Sequence, residues 1–329
     1  MSTRSIIPVF FAVDDNYAPN LHVLVESIIA QSNPNKEYHL NFLVENLSEK
    51  NKKSFLDRAK SNIKIFITDM TKQSKENNEA FKARDYYTNT IYFRSYIPEM
   101  FPQYDKALYL DADMVVNCDI AELFDMEMYD NYALVANCET SNSFPPFKHY
   151  IEYYMGFKHP WYFNSGFMVL NTSLLRKEKF QTKFFDLLHK HKFELIPDQD
   201  MLNILFRGRC IFLPQVWNKI PLKVDGITDN NVKIVHYNCV FRPWRYDGID
   251  FAHIKYDKIP FEDIFWKHAK NCPAYQELLD IKKNYSDEDK KGDAEMMNNL
   301  VLRAVRLTNL PIEQTFAGLY HTGIIRLLR

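Results

Sequence analysis

The N-terminal part of the chain alternates between short apolar runs and segments with a helical hydrophobic period, and this alternation is what most restricts its fold. Residues 6–13, 38–44 and 63–68 are apolar runs of strand length. An apolar helical stripe separates the first two runs, and a segment that Ser48 is placed to cap separates the second from the third. Strands that alternate with helices form parallel sheets with right-handed crossovers. The sequence therefore predicts an α/β fold with a doubly wound parallel sheet.

Residues 106–117, KALYLDADMVVN, combine a buried strand with two carboxylates. Side chains alternate along an extended backbone, so Asp111 and Asp113 point the same way and can converge on one point. Two adjacent anions repel each other unless a cation lies between them, and open α/β sheets bind ligands at the carboxyl ends of their strands. A divalent metal site is one interpretation of this motif, and a polar turn that ends a strand is the other.

Composition excludes several classes of partner and fold. The formal net charge of -1 provides no overall field that attracts nucleic acid, so no nucleic-acid partner is expected. The five cysteines show no Cys-x-x-Cys spacing, which argues against a disulfide framework and a zinc site and predicts a reducing, cytoplasmic compartment. No apolar stretch reaches the roughly 18 residues that suggest a transmembrane helix, so no membrane span is predicted.

Polar side chains also follow the first predicted strand, in the sequence FAVDDNYAPN. The carboxylate of Asp14 and the amide of Asn16 can read the hydrogen-bonding edge of a nucleobase, and Tyr17 can stack on its face. An ordinary capped turn between strand and helix is the alternative. The chain has no Gly-x-Gly-x-x-Gly motif, so a dinucleotide-binding fold is unsupported.

Three later motifs add further candidate residues. Gly166 interrupts the predicted strand FNSGFMVLN, and such a glycine often marks a close approach to a ligand. Asp198 lies in PDQD, where it is expected to cap a helix whose N-terminus favours an anionic ligand. His236 ends the strand VKIVHY, and Arg242 lies just before Pro243-Trp244. His236 together with two carboxylates would suit Mn²⁺ or Mg²⁺; alternatively, it is a hydrogen-bonded core histidine. The guanidinium of Arg242 would suit a diphosphate; alternatively, it is a surface arginine.

The motifs FAVDDNYA, YLDADMVV, FNSGFMVLN, PDQD and HYNCVFRPW, in this order, resemble those of the family 8 glycosyltransferases. The likeness covers residues 6–244, and five ordered motifs are far more specific than one. It implies a single GT-A domain of Rossmann-like α/β fold with a mixed, mainly parallel central sheet. It also implies a UDP-sugar donor, Mn²⁺ (or Mg²⁺) as cofactor, and transfer of the sugar with retention at the anomeric carbon.

The resemblance implies a role for each matching residue. The implied metal ligands are Asp111, Asp113 and His236, and the implied catalytic residues are Arg94, Asp198 and Gln199, with Gln199 beneath the anomeric carbon. The residues implied to bind the UDP-sugar are Ala12, Val13, Asp14, Asn16, Tyr17, Asp111, Ala112, Asn164 and Arg242. The chain departs from the family pattern at Arg242, where the family usually has Lys, and at Cys239, where it has Gly.

The implied reaction is metal-dependent transfer of galactose or glucose from a UDP-sugar to a saccharide or glycan acceptor, in cell-surface polysaccharide or lipopolysaccharide synthesis. Glutamine is a poor nucleophile, which favours front-face substitution over a covalent intermediate on Gln199. Two alternatives stay open. One is a haloacid-dehalogenase-like phosphatase that uses Asp111, with residues 247–250, DGID, as its acidic metal pair; the other is a catalytically inactive relative that binds UDP. Residues 141–160 are rich in Phe, Tyr and Pro and are expected to be irregular. They are compatible with more than one kind of acceptor, so the identity of the acceptor is not predicted.

The C-terminal part of the chain is predicted to form a helical appendage to a transferase domain of residues 1–284. Residues 285–296 are dense in charge and are interpreted as a linker, and residues 297–329 as a basic amphipathic tail. The tail can pack on the main domain, pair subunits in a homo-oligomer or lie on an anionic membrane surface. The last option predicts a cytoplasmic protein held peripherally at the inner face of the plasma membrane.

Overall fold

The computed structural model describes residues 4–77, 88–137, 144–251 and 254–321. Its strands are β1 (Ser5–Val13), β2 (Lys36–Val44), β3 (Ile63–Asp69), β4 (Ala107–Leu110), β5 (Met114–Val116), β6 (Ala133–Asn137), β7 (Phe163–Leu170), β8 (Cys210–Leu213), β9 (Ile234–His236), β10 (Ile249–Phe251) and β11 (Ile254–Tyr256). Its α-helices are α1 (Ala18–Gln31), α2 (Glu49–Leu56), α3 (Thr71–Glu76), α4 (Ile97–Met100), α5 (Pro145–His149), α6 (Thr172–Lys177), α7 (Phe180–Lys190), α8 (Pro197–Leu205), α9 (Glu262–Ala269), α10 (Tyr275–Asn284), α11 (Asp287–Thr308) and α12 (Phe316–His321).

Seven strands form the central sheet in the order β3-β2-β1-β4-β7-β6-β8. The strands β1 to β4 are mutually parallel where they pair, β6 and β8 are also parallel, and β7 runs antiparallel to both of its neighbours. Strands β5 and β9 form a separate antiparallel pair beside the end of β4. The predicted α/β fold with a mixed, mainly parallel sheet is therefore confirmed.

The apolar run in β1 is continuous because both faces of the sheet are covered. Val9, Phe11 and Val13 belong to the apolar core on the face that α1 covers. Phe10 points to the opposite face, where it packs edge-on against Phe101 with the ring centroids 4.8 Å apart. A strand buried on both faces needs apolar residues at every position, which is the pattern of strands in parallel sheets.

Two predicted caps are confirmed, and one is wrong. The Ser48 hydroxyl accepts a hydrogen bond from Asn51 N (3.3 Å) at the start of α2. The sequence also predicts that Asp119 caps a short helix over residues 120–126, and its carboxylate accepts a hydrogen bond from Ala121 N (2.9 Å) at the start of the 3-10 helix Ile120–Phe124. Asp198 does not cap α8: its side chain lies inside the helix start, and the residue at the cap position is Ile196. The Asp198 carboxylate is bound by side chains of other segments, as described below.

Several segments predicted from periodicity differ in detail. The helical pattern of residues 173–192 predicts one helix, but the structure has two, because Lys179 adopts a left-handed backbone conformation (φ 55) between α6 and α7. Residues 263–284 also have a helical pattern in the sequence, and the structure likewise divides this segment into α9 and α10. Residues 141–143 lie outside the described residues, but much of the rest of the segment expected to be irregular is helical: α5 is followed directly by a π-helical turn, Tyr150–Tyr154.

The segment predicted as a charged linker is helical from Asp287 onward. Ser286 and Asp289 form a capping box, which satisfies the backbone donors at the start of α11 and lets the charged residues continue into the tail as one helix. Met297, Leu300, Ala304 and Leu307 of α11 are buried, so this part of the tail packs on the main domain. Residues 322–329 of the tail lie outside the described residues. No helix in the described part of the chain is long and apolar enough to cross a membrane.

Candidate active site

Three potential metal ligands meet where the central sheet adjoins the β5–β9 pair. Asp111 follows β4 directly, Asp113 precedes β5, and His236 ends β9, whose antiparallel pairing sets His236 opposite Met114. One ligand atom from each of the three residues lies within 4.8 Å of the others. His236 Nε2 is 3.1 Å from Asp113 Oδ1 and 3.8 Å from Asp111 Oδ2. Two carboxylates and one imidazole thus converge on one point, as the sequence predicted for Asp111 and Asp113.

A chain of hydrogen bonds determines which nitrogen of His236 faces the carboxylates. The backbone N–H of Gly166 donates to Asn164 Oδ1 (3.1 Å), so this oxygen is an acceptor and Asn218 Nδ2, 3.0 Å away, donates to it. Asn218 Oδ1 is then the acceptor for His236 Nδ1, at 3.0 Å. The proton of the neutral imidazole is thereby placed on Nδ1, and the lone pair of Nε2 is directed at the two carboxylates.

This arrangement of acceptors fits a bound cation. Asp113 is 8% exposed, and its Oδ1 atom is buried and accepts no well-formed hydrogen bond from the part of the chain that the structure describes. Burial alone would raise the pKa of Asp113, but its interactions with the neighbouring His236 and Arg242 lower it below its ordinary value, so the carboxyl is ionised. Mixed oxygen and nitrogen ligands without thiolate suit Mn²⁺ or Mg²⁺.

The absence of a side chain at Gly166 makes room for the candidate metal ligands. A Cβ atom at this position of β7 would lie 2.5 Å from Asp111 Oδ2, 2.6 Å from His236 Cε1 and 3.0 Å from Asn164 Oδ1. Distances this short require the neighbouring side chains to shift. A residue without a side chain is therefore needed where β7 passes the candidate metal ligands.

Arg94 links the candidate metal site to the start of α8. It lies on the 3-10 helix Asn89–Tyr96, is 4% exposed, and contacts Asp111 Oδ1 through Nη2 (3.0 Å) and Asp198 Oδ2 through Nη1 (3.4 Å). Its Nη1 also donates to Ser165 O (2.6 Å), and the guanidinium lies 4.2 Å from the ring centre of Tyr109. Burial raises the pKa of Asp198, whereas Arg94 opposes that rise, so the guanidinium compensates for the buried Asp198 and also contacts the partly exposed Asp111.

The side-chain oxygen of Gln199 is held in place by two donors. Gln199 lies in the first turn of α8, is 6% exposed, and its Oε1 accepts hydrogen bonds from Asn164 Nδ2 (3.0 Å) and Ser165 N (3.2 Å). The neighbouring Asp200 accepts from the hydroxyls of Tyr150 (2.8 Å) and Tyr162 (2.5 Å). Gln199 is therefore joined to Asn164, the same residue that begins the hydrogen-bond chain to His236.

A cavity of about 290 Å³ brings these groups together with the end of β1. The residues of the predicted set that line it are Ala12, Val13, Asp14, Tyr17, Arg94, Asp111, Ala112, Asp113, Asn164, Asp198, Gln199, His236 and Arg242. Asn16 is exposed and does not line the cavity; its backbone N–H donates to Asp14 Oδ1 (3.0 Å) in a local turn. Arg242 Nη2 donates to the Tyr17 hydroxyl (3.2 Å), so the first and last motifs meet across the site.

Comparison with known proteins identifies the family. The model of the family described as "Glycosyl transferase family 8" matches residues 8–248. The chain belongs to this family. A lipopolysaccharide 1,2-glucosyltransferase of Escherichia coli is 27% identical over 314 residues, which cover 86% of this chain and 88% of that protein. The glycosyltransferase GlyB of Streptococcus pneumoniae is 30% identical over 225 residues, which cover 66% of this chain and 48% of GlyB.

Solved structures similar to this family 8 chain confirm the predicted GT-A fold. The bifunctional glycosyltransferase WbbM in its apo form aligns with a TM-score of 0.70 and 24% identity, over 86% of this chain and 53% of WbbM. The galactosyltransferase LgtC, in complex with donor and acceptor sugar analogs, aligns with a TM-score of 0.64 and 22% identity, over 81% of this chain and 96% of LgtC.

At Cys239, where the family resemblance implies a glycine, the backbone has the conformation that glycine favours. Its φ of 53 lies in the left-handed region, which is unfavourable for a residue with a Cβ atom. Cys239 also lines the cavity, between His236 and Arg242 in the sequence. The substitution therefore keeps the path of the backbone at a cost in conformational energy.

The structure also brings in residues that the sequence motifs did not indicate. Asn218 is 1% exposed and orients His236, but it lies outside every motif of the family resemblance. Ser165 lies within a predicted motif without having been assigned a role, and its hydroxyl donates to Asp198 Oδ2 (2.9 Å). A single asparagine, such as Asn218 in VWNKI, is a weak signal on its own, because asparagine is also common in turns.

Proposed function

We propose that this member of glycosyl transferase family 8 is a metal-dependent retaining hexosyltransferase that moves galactose or glucose from a UDP-sugar to a saccharide acceptor. The observation that carries the proposal is that the acceptor-rich site of Asp111, Asp113 and His236 shares one cavity with Arg94 and Gln199. The name of one similar protein, a lipopolysaccharide 1,2-glucosyltransferase, supports a role in cell-surface polysaccharide or lipopolysaccharide synthesis.

We assign the metal site to Asp111, Asp113 and His236, with Mn²⁺ or Mg²⁺ as the ion. When bound, the ion would supply positive charge that offsets the charge developing on the departing diphosphate. Asn218 fixes the ring of His236, and Arg94 fixes one oxygen of Asp111, so the ligands are oriented before the ion binds. The Arg242 guanidinium, which also lines the cavity, would pair with the phosphates.

The end of β1 is the proposed nucleotide site. Tyr17 can stack on the uracil ring, and Asp14 can accept a hydrogen bond from it, while Ala12, Val13 and Ala112 line the cavity beside them. Burial raises the pKa of Tyr17, so its hydroxyl stays protonated and neutral while it accepts the hydrogen bond from Arg242. Asn16, which lies on the surface, contributes through the turn that it forms with Asp14.

The hydrogen bonds of Gln199 favour front-face substitution. Both donors to Oε1 withdraw electron density from an amide oxygen that is already a weak nucleophile, so covalent attack by Gln199 is unfavourable. The same oxygen, held in place, can stabilise positive charge that develops at the anomeric carbon. Asp198, held by Arg94 and Ser165, is placed to accept hydrogen bonds from the donor sugar. Isolation of a sugar bound covalently to Gln199 would overturn this assignment.

A panel of nucleotide sugars incubated with the purified protein and Mn²⁺ tests the proposed function. We expect slow release of UDP from UDP-galactose or UDP-glucose, lost without Mn²⁺ and in the double variant Asp111→Asn/Asp113→Asn. The matched control is Asp247→Asn/Asp250→Asn, which removes two carboxylates whose side chains are 92% and 78% exposed and which do not line the cavity. If no nucleotide sugar is turned over and calorimetry detects no UDP binding, the proposal fails.

The same variants address the alternatives. The acidic pair that a phosphatase would need does not reach Asp111: Asp247 pairs with Lys282 (2.8 Å) and Asp250 with Lys255 (3.1 Å), both on the surface. Hydrolysis of p-nitrophenyl phosphate that depends on Asp111 would nevertheless support the phosphatase. Binding of UDP without any sugar transfer or hydrolysis would support the inactive relative.

We also propose that α11 contacts an anionic membrane surface at the inner face of the plasma membrane. Its outward-facing Leu302 and Val305 are 65% and 42% exposed, and the Arg306 side chain beside them is 57% exposed. Cosedimentation with vesicles that contain phosphatidylglycerol should weaken in Leu302→Ser/Val305→Ser and with added salt. Equal binding of the variant would contradict this proposal. Homo-oligomer formation stays a prediction that light scattering can test.

A further inference from the structure

One wall of the active-site cavity is formed by helices that follow or lie between the catalytic motifs. Met297, Leu300 and Val301 of α11 line it together with Phe147 of α5 and Ile151 of the π-helical turn. The family model ends at residue 248, so α11 lies outside the matched residues. This apolar wall, defined by the five residues above, is therefore not explained by the motifs that support the proposed function.

The apolar wall is attached to the segment that carries Gln199. The Tyr150 hydroxyl, from the turn that contains Ile151, donates to Asp200 Oδ2 (2.8 Å), one residue beyond Gln199. From α11, Arg303 donates to Glu194 O (3.0 Å) shortly before α8 begins. These bonds, together with packing of the buried face of α11, hold the wall next to the first turn of α8. The wall therefore faces the part of the cavity where transfer takes place.

Charge is distributed unevenly over the lining of the cavity. The charged or titratable acidic and basic side chains that line it are Asp14, Arg94, Asp111, Asp113, Asp198, His236 and Arg242. All of them belong to the proposed nucleotide, metal and sugar-binding groups, and the apolar wall contributes none within the described residues. A phosphate or carboxylate would have no counter-ion at the wall, whereas each methylene group buried there would strengthen binding by about fourfold.

We infer that the apolar wall is an acceptor subsite, and that the acceptor carries an uncharged alkyl or aryl group beside the hydroxyl that receives the sugar. The inference rests on the proposed function. In the transfer step the acceptor oxygen forms a bond to the anomeric carbon as the bond from that carbon to the diphosphate oxygen breaks. The electron pair of the broken bond stays on UDP, and the hydroxyl proton passes to the departing diphosphate.

Pairs of simple glycosides test the subsite. Hydrolysis of the UDP-sugar donor is measured at increasing concentrations of a glycoside. Two pairs are compared: methyl and n-butyl glucoside, and methyl and n-butyl galactoside. A glycoside bound at the apolar wall either accepts the sugar in place of water or excludes water from the site, and both effects reduce hydrolysis. Each glycoside is therefore described by the concentration at which hydrolysis falls to half. For the sugar that binds, n-butyl should act at a concentration at least about tenfold lower than methyl, since it buries more methylene groups.

Adjacent positions of α11 supply the variant and its control. Val301→Asp places a charge on the apolar wall and should bring the ratio of the methyl to the n-butyl half-inhibition concentration close to one. If this variant does not fold, Val301→Ser, which is polar but uncharged, should change the ratio in the same direction. Leu302→Asp places the same charge at a neighbouring, 65% exposed position and should leave the ratio unchanged.

The outcomes separate this inference from the proposed function. A ratio near one in the unmodified protein, no effect of any of the glycosides, or an equal change in Leu302→Asp would overturn the acceptor subsite while donor hydrolysis continues. Absence of donor hydrolysis before any glycoside is added would instead remove the proposed function, and the inference with it.

Discussion

Replacement of Gly166 by alanine tests the geometry of the candidate metal site most directly. Its φ is not in the left-handed region, so alanine can adopt the same backbone and any effect arises from the added methyl group. That methyl group would lie 2.5 Å from Asp111 Oδ2 and 2.6 Å from His236 Cε1. Ordinary contacts begin at 3.4 Å, so two of the three candidate ligands must each move by roughly 1 Å.

The size of the expected effect follows from this displacement. A shift of about 1 Å in a reacting constellation lowers activity by roughly 100-fold, whereas crowding a packed site costs about 1–3 kcal/mol of folding free energy. Gly166→Ala should therefore lower UDP-sugar hydrolysis by about two orders of magnitude and weaken Mn²⁺ binding. The protein should still fold, with a free energy of unfolding that is lower by about 1–3 kcal/mol.

The matched control is Gly292→Ala, which adds a methyl group where, apart from its chain neighbours and the backbone of its own helix, no atom of the described residues lies within 4 Å. Gly292 lies inside α11, where alanine is preferred to glycine, so the free energy of unfolding should rise by about 0.5–1 kcal/mol and activity should not change. Both variants are compared by urea denaturation, Mn²⁺ titration calorimetry and UDP release. Unchanged Mn²⁺ affinity and unchanged hydrolysis in Gly166→Ala would refute the assignment of Asp111 and His236 as ligands.

Three further predictions concern the groups around this site. Arg94→Met should lower the free energy of unfolding in urea by about 3–5 kcal/mol, because it leaves the buried carboxylate of Asp198 without its guanidinium partner; part of this loss should return in Arg94→Met/Asp198→Asn. Burial raises the pKa of Asp200 from 3.8 to about 7, so its contribution to stability is fully present below about pH 4 and is lost as the pH rises through about 7. The free energy of unfolding of the unmodified protein relative to Asp200→Asn should fall by on the order of 4 kcal/mol between about pH 4 and pH 8, and denaturation across that range checks it. Cys239→Gly removes the left-handed strain and should raise the free energy of unfolding by about 0.5–1 kcal/mol, measured in the same way; a decrease would show that the cysteine side chain stabilises the loop by more than the strain costs.

Much of the fold was predictable because its signals are local. The apolar run of β1 and the capping hydroxyl of Ser48 report on the residues next to them in the chain, and both predictions hold. The alternation of Asp111 and Asp113 along an extended backbone is also local, and it was enough to predict that the two carboxylates converge. Ordered motifs then identified the family, because short sequence patterns can be read without knowledge of which distant segments pack together.

Other features depended on contacts between residues that are distant in the sequence. The direction of β7 follows from pairing with β4 and β6, which no local period encodes. Asp198 looked like a helix cap, but its partner is Arg94, more than a hundred positions earlier in the chain. The division between α6 and α7 at Lys179 and the helical structure within residues 144–154 likewise result from packing that overrides local propensity.

The sequence by itself determined the α/β class, the family and most of the polar groups of the candidate site, since these depend on periodicity and on short motifs at strand ends. Only the tertiary structure decided how the groups are joined: Asn218 orients His236, Gly166 leaves room for Asp111, and α11 closes the cavity with Leu300. The physical reason is that a side chain's type is written in the sequence, whereas its partner and its exposure depend on which distant segments the folded chain places beside it.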